Sequence, residues 1–292
     1  MAQRDPGPDG VVVIDKPAGW TSHDVVARSR GVLGTRKVGH SGTLDPDATG
    51  VLVLGVGRAT RLLRFLTELP KSYVGEIVLG LETSTLDAAG EVTATHDMSA
   101  VTDEQVRAAT GPLTGAIEQI PPMVSAVKID GKRLHELARE GKVVDRPPRP
   151  VVVSRFDVEP LAGEPGVWRC EVDCSSGTYV RTLAADLGAA LGGGAHLRAL
   201  RRTAVGGFTL ADAGPIESPT LRPMADAVRH LDRVVADEAM AVDVGHGKRL
   251  GREQLGVGDA PGPWAVCDQA GELLAVYEAH RDATKPSVVI PR

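Results

Sequence analysis

Residues 39–57 read GHSGTLDPDATGVLVLGVG, and Asp45 is the side chain in them best suited to chemistry. An ionised carboxylate can attack covalently or assist a leaving group. Two readings of Asp45 stand side by side. It precedes Pro46, and the residue before proline is pushed into an extended conformation that suits a turn. It is also bracketed by Gly42 and Gly50, which let a backbone approach a ligand closely. Asp47 is a rival carboxylate, but its place after Pro46 suits a solvent-facing turn or a helix cap. His40 opens the same loop; it is either a proton-exchanging group or incidental.

Further along, Tyr73 and Tyr179 draw notice because aromatic residues are only 3% of the chain. Each stands near a cation, in Lys71-Ser72-Tyr73 and Tyr179-Val180-Arg181. A tyrosine ring can stack on a nucleobase and its hydroxyl can pass a proton; it can equally be a core residue with a satisfied hydroxyl. Read as a strand, Tyr179 and Arg181 point to one face. Arg181 could hold a carboxylate ionised, or make a surface ion pair of little consequence. Cys170, Cys174 and Cys267 show no metal-type spacing, and no histidines pair as ligands, so no metal site is expected. There is no GxSxG elbow, phosphate loop or dinucleotide fingerprint.

The elements that must position these residues follow from pattern. GVVVIDKP is a strand, and Thr21 or Ser22 caps a helix that stops at Gly34. VLVLGVG is a buried strand, and residues 58–70 form an amphipathic helix ended by Pro70. Residues 71–83 are extended. DEQVRAA is a helix with Thr102 as cap. SAVKIDGKRL is a hairpin with Asp130-Gly131 as its turn, opening a basic, proline-bounded arm at about 120–150. PVVVSRFDVEP and VWRCEVDCSSGTYVRTL alternate as strands, residues 183–191 are helical, LGGGAHLRALRRT is flexible, and AVGGFTL is a strand. Beyond Asp237, AMAVDVGHGKRLG, PWAVCDQAG and ELLAVYEA read as short strands of a small β module. The class is α+β with a mixed, mainly antiparallel sheet, divided into a catalytic domain at 1–235 and a module at 236–292.

Composition narrows the function. The chain has 292 residues, 42% hydrophobic and 24% charged, with net charge −5. No apolar run approaches the roughly 18 residues that span a bilayer, and MAQRDPGPDG lacks an export signal; a reducing cytoplasm is expected. Charge is uneven. Cations dominate 11–72, 128–149 and 198–202, while acids dominate 73–119. An acidic protein can present a basic face to a polyanion, or these can be ordinary solvated faces.

GHSGTLDPDATGVLVLGVGRAT resembles the catalytic signature of bacterial TruB-type tRNA pseudouridine synthases. DKPAGWTSHDVV resembles that family's N-terminal motif, and KSYVGEIVLG its tyrosine-bearing segment. PPMVSAVKIDGKRLHELAREG resembles its RNA-gripping insertion, where His135 replaces a common tyrosine. CSSGTYVRTLAADLG and GAHLRALRRTAVGGF resemble its later motifs. The matches are collinear from about Val11 to Phe208.

The resemblance implies the pseudouridine synthase fold, an inserted arm and a reduced PUA-like RNA-binding module. It implies isomerisation of the T-loop uridine of tRNA, at position 55, to pseudouridine. Asp45 would be the nucleophile and Arg181 its ionic partner. Tyr73 would stack on the uracil and transfer a proton. Tyr179 and Leu200 would line the uridine pocket, His40 would fill the space left by the flipped base, and Lys16 would sit near the entrance. Such an isomerisation needs no cofactor. The expected partner is the T stem-loop of tRNA, with no membrane and no obligate protein partner, and a monomer is expected.

Overall fold

The computed structural model describes residues 7–125, 128–129, 132–134, 137, 140, 142 and 144–291. They form two compact units. The first comprises residues 1–46, 50–68 and 205–292, and the second residues 47–49 and 69–204.

In the first unit, β1 (Gly10–Lys16) runs antiparallel to β3 (Thr49–Val56), pairing Lys16 with Gly50 and Ile14 with Leu52. β2 (Val38–His40) pairs the same strand, with His40 opposite Leu54. Both long strands are apolar almost throughout because both faces are covered. Val12, Ile14, Leu52, Leu54 and Val56 form one core with Val25 and Val26 of helix α1 (Ser22–Val32). Thr21 is the cap of α1, and Asp24 completes a capping box. The expected helix at 58–70 is a 3₁₀ stretch, Gly57–Leu62, followed by a short α2 (Leu63–Thr67).

The second unit holds β4 (Lys71–Leu79), β5 (Leu81–Thr83), β6 (Val92–Thr95), α3 (Asp103–Ala109), β7 (Gly115–Gln119), β8 (Lys128–Ile129), β9 (Lys132–Arg133), β10 (Arg149–Pro160), β11 (Val167–Cys174), α4 (Val180–Ala190) and β12 (Ala195–Val205). Its strands lie in the order β12-β4-β11-β10-β7. β4, β11, β10 and β7 pair antiparallel in succession, with Tyr73 opposite Val172 and Gln119 opposite Arg149. α3 begins at Thr102 with a capping box, as its sequence predicts. β8 and β9 pair as the expected hairpin, Ile129 opposite Lys132; the turn residues Asp130 and Gly131, and His135, lie outside the described residues.

Three expectations are corrected. Residues 175–182 do not continue the strand. A turn closes there, with Gly177 at φ +88° and the Thr178 hydroxyl donating to Ser175 O at 3.0 Å, and α4 begins at Val180. Its buried positions 180, 183, 184 and 187 follow helical spacing. Residues 195–203, expected to be flexible, belong to the strand β12 (Ala195–Val205), with Ala195, His196 and Leu197 buried. Residues 238–245 are a helix, α5 (Glu238–Gly245), rather than a strand, because the Asp237 carboxylate accepts from Met240 N at 2.8 Å and caps it.

After β13 (Phe208–Thr209) the first unit continues into a separate five-stranded sheet. β14 (Asp232–Val235), β15 (Leu250–Gly251), β16 (Trp264–Cys267), β17 (Leu273–His280) and β18 (Ala283–Val289) order as β14-β16-β17-β18-β15. Only β14–β16 is parallel among these pairs. Trp264, Val266, Leu274, Ala275 and Tyr277 make its core.

Candidate active site

In the first unit, the loop that carries Asp45 is gripped on both sides. Leu44 is buried before it and Ala48 after it. The buried Ser22 hydroxyl accepts from Leu44 N at 2.9 Å and donates to Leu44 O at 3.2 Å. Pro46 O accepts from Gly19 N at 3.0 Å and from the Lys16 ammonium at 2.8 Å. Asp45 itself is half-buried between these two fixed peptides. Gly50, with φ +100°, turns the chain from the loop into β3 in a conformation that favours glycine.

Lys16 is 0% exposed. Its ammonium donates to Pro17 O at 3.0 Å, Trp20 O at 2.6 Å and Pro46 O at 2.8 Å, which matches the three N–H groups of an ammonium. It therefore staples the Pro17–Trp20 turn to the Asp45 loop. His40 ends β2 on the same unit, half-buried, with its ring edge-on to His23 at 5.3 Å and 82°. The sequence offered Thr21 or Ser22 as the cap of α1; Thr21 takes that task and Ser22 holds the loop.

The second unit carries the other predicted residues. Tyr73 on β4 and Leu200 on β12 are half-buried against one core of Cys170, Val172, Val180, Leu183 and Leu197. The strands can approach because Gly75 is small: a Cβ there would stand 2.9 Å from Ala199 O. Tyr179 is the cap residue of α4, and Arg181 lies in its first turn. Arg181 is 4% exposed. Its guanidinium donates to Thr85 O and Val124 O, each at 3.0 Å, and pairs with Asp87 at 3.2 Å. Asp87 in turn accepts from the Thr85 hydroxyl and from Ala89 N, which stiffens the turn that faces Arg181. Such a buried, multiply bonded guanidinium is a fixed cation, unlike a solvated ion pair. Within this unit Arg201 of β12 donates to the Thr49 hydroxyl at 3.2 Å.

Sequence reasoning missed Ser22 as a clamp, and missed Gln119, Asp87 and Arg201. Gln119 stands at the start of the arm segment, where its type carried no signal. The fork of Arg181 needs several acceptors, but their identity lies in distant loops.

Residues 30–180 match the N-terminal domain of the TruB family of pseudouridylate synthases. Residues 181–239 match the C-terminal domain of tRNA pseudouridylate synthase B, and residues 231–291 the C-terminal domain of tRNA pseudouridine synthase II. The chain belongs to the TruB family. It is 48% identical to the tRNA pseudouridine synthase B of Mycolicibacterium paratuberculosis, over 97% of this chain and 98% of the relative. The Streptomyces coelicolor protein of that name is 47% identical over 99% of each chain. Among solved structures, a chain of a Cbf5–Nop10–Gar1 complex superimposes with a TM-score of 0.75 at 27% identity, covering 97% of this chain and 85% of that one. Family membership accords with the pseudouridine synthase fold expected from sequence, with mixed sheets and a C-terminal module. Among the described residues no helix is long and apolar enough to cross a membrane.

Proposed function

We propose that this chain converts the T-loop uridine of tRNA, at position 55, to pseudouridine, using Asp45 as its nucleophile. As a TruB family member it is an isomerase acting on uridine in tRNA. The observation that carries the assignment to Asp45 is the double grip on its loop. Ser22 fixes the peptide before it and Lys16 with Gly19 the peptide after it, while the carboxylate stays half-buried. A pre-set nucleophile avoids the reorganisation that a mobile loop would need.

The reaction breaks the C1′–N1 bond, rotates the freed uracil and joins C1′ to C5. N1 ends with a proton and C5 loses one, so atoms and electrons balance without a redox partner or cofactor. Asp45 supplies covalent assistance. Arg181 pairs with it and favours its ionised form. Tyr73 stacks on the uracil and carries the proton from C5. Tyr179 and Leu200 form pocket walls that keep the free uracil in place while it turns. His40 fills the gap left by the flipped base, offsetting part of a stacking loss of a few kcal/mol. Lys16 sits near the entrance of the site and braces the loop through Pro46 O.

The arm at about 120–150 and the basic stretches grip phosphate and shape. Residues 236–292 act as a reduced PUA-like RNA-binding module beside a catalytic domain at 1–235; four of the five strands of a separate sheet and most of its core lie in them, and β14 joins that sheet from just before the boundary. The enzyme works in the cytoplasm as a monomer without an obligate protein partner.

The test uses an unmodified tRNA transcript in the presence of a chelator. Pseudouridine is mapped by chemical labelling and primer extension. One T-loop stop, no change in RNA mass, and loss of the stop in Asp45→Asn with RNA binding kept are expected. A stop at another site, or an active Asp45→Asn enzyme, would overturn the assignment.

A further inference from the structure

Gln119 is the last residue of β7, at the point where the chain leaves the sheet to form the arm; Arg149, its partner across the strands, is where the chain returns. It is 2% exposed. Its side-chain amide does not serve the sheet. Oε1 accepts from Tyr179 N at 2.9 Å, and Nε2 donates to Tyr179 O at 3.3 Å. The two bonds are reciprocal, as between two paired peptides in a sheet. Tyr179 is itself extended, at φ −104° and ψ 107°. One side chain therefore supplies the pairing that a neighbouring strand would give, to a residue that sits beyond the end of β11 and before the first turn of α4.

The same short segment is held from the arm root a second time. Arg181, two residues on, donates to Val124 O. Tyr179 has no side-chain bond capping α4, so its backbone is set by Gln119 and by the helical bond from Leu183 N at 3.1 Å. The direction of a side chain follows from its backbone, and so the ring of Tyr179 depends on the amide of Gln119.

We infer that Gln119 is a positioning residue for the isomerisation: it fixes Tyr179 as a wall of the uridine pocket and ties that wall to the root of the arm. The inference rests on the reading above that Tyr179 lines the uridine. Removing the amide leaves the part-buried N–H of Tyr179 without its acceptor, and the wall can then move while the RNA contacts of the arm remain. The loss falls on the step in which the free uracil is held and turned.

The test compares the parent enzyme with Gln119→Leu and Gln119→Glu on a T stem-loop RNA. Gln119→Leu is expected to lower kcat at least about tenfold with KM within about threefold, because positioning acts after binding. Gln119→Glu carries a sharper signature. A protonated carboxyl keeps one acceptor for Tyr179 N and one donor for Tyr179 O; a carboxylate sets an anion against Tyr179 O. Burial raises the pKa of such a group, so the ratio of Gln119→Glu to parent activity should fall as pH rises from about 5.5 to 8. Hydrogen exchange at the Tyr179 amide should speed up in Gln119→Leu whether or not RNA is present. Should Gln119→Leu fail to fold, the pH ratio of Gln119→Glu still decides. Both variants within about twofold of the parent at every pH, or a raised KM at unchanged kcat, would overturn the inference. An inert parent would instead sink the functional reading, and with it the role of Gln119.

Discussion

The hydroxyl of Ser22 makes two hydrogen bonds to the one peptide residue Leu44, accepting from its N–H at 2.9 Å and donating to its carbonyl at 3.2 Å. The first residue of α1 is thereby the support of the loop that carries Asp45. Replacing it removes both bonds from buried groups. Ser22→Ala should cost about 1–3 kcal/mol of stability. It should also lower the rate of pseudouridine formation by about tenfold or more, with RNA affinity kept. Thermal melting and single-turnover assays check the two parts. An unchanged rate would show that the Asp45 loop holds its shape without Ser22.

Lys16 is a buried cation bonded to three carbonyl oxygens. Lys16→Met keeps much of the volume and leaves those oxygens without the ammonium. A loss of about 3 kcal/mol or more is expected, since buried acceptors are stranded at several points at once. Urea unfolding measures it. Lys16→Arg should not restore stability, because a planar fork cannot reach three acceptors arranged around one nitrogen. A stable, active Lys16→Met enzyme would remove Lys16 from the support of the loop.

Among the contacts of Arg181, one guanidinium nitrogen serves Thr85 O and Asp87 and another serves Val124 O. Arg181→Lys keeps the charge and loses the fork. Activity should fall by about a hundredfold or more, on the order expected when a preorganised hydrogen-bond donor is lost from an active site. Rescue to within about threefold would mean that charge alone suffices.

Asp212 links stability to pH. Its carboxylate accepts from Thr209 N at 3.0 Å and pairs with Arg222 at 2.9 Å, and these partners, the backbone bond first, hold its pKa below the usual carboxylate value. A depressed carboxylate stabilises the folded state above its unfolded pKa, and that contribution is lost as pH falls through the folded pKa. Asp212→Asn should therefore be less stable than the parent at pH 7, and the gap should close as pH falls below about 4. Denaturation midpoints measured from pH 7 to pH 2.5 follow the gap. A gap that stays constant across that range would contradict the linkage.

Cys170 and Cys174 are buried on β11, and burial pushes their thiols up to about 12 and about 11. The thiolate is the reactive form, so neither should be alkylated in the folded protein at pH 8. All three cysteines should react once the chain is unfolded. Mass spectrometry after a timed iodoacetamide pulse reads this directly; labelling of Cys170 in the native state would show that β11 opens.

Local rules made much of the fold legible. The Thr21 and Thr102 caps, the apolar runs of β1 and β3, and the pairing of 128–129 with 132–133 follow from neighbouring residues, and all stand in the structure. Local rules failed where two periods compete. The Tyr-Val-Arg run alternates like a strand, yet its burial repeats as a helix once Gly177 has turned the chain. The run 239–251 reads like short strands, and the Asp237 cap settles residues 238–245 as α5.

By itself the sequence determined which chemistry is available: one loop with Asp45 and His40, two tyrosines near cations, and motifs in the family's order. It also determined most of the elements that carry them, since caps and apolar periodicity act within a few residues. Only the tertiary structure decided what holds those groups still. Ser22 reaches Leu44 across 22 residues, Lys16 reaches Pro46 across 30, Gln119 reaches Tyr179 across 60, and Arg181 reaches Thr85 across 96. Each is a side chain bonded to a backbone group, and every residue offers the same N–H and C=O whatever its type. The acceptor leaves no mark in the sequence, so such supports become visible only when the chain has folded around them.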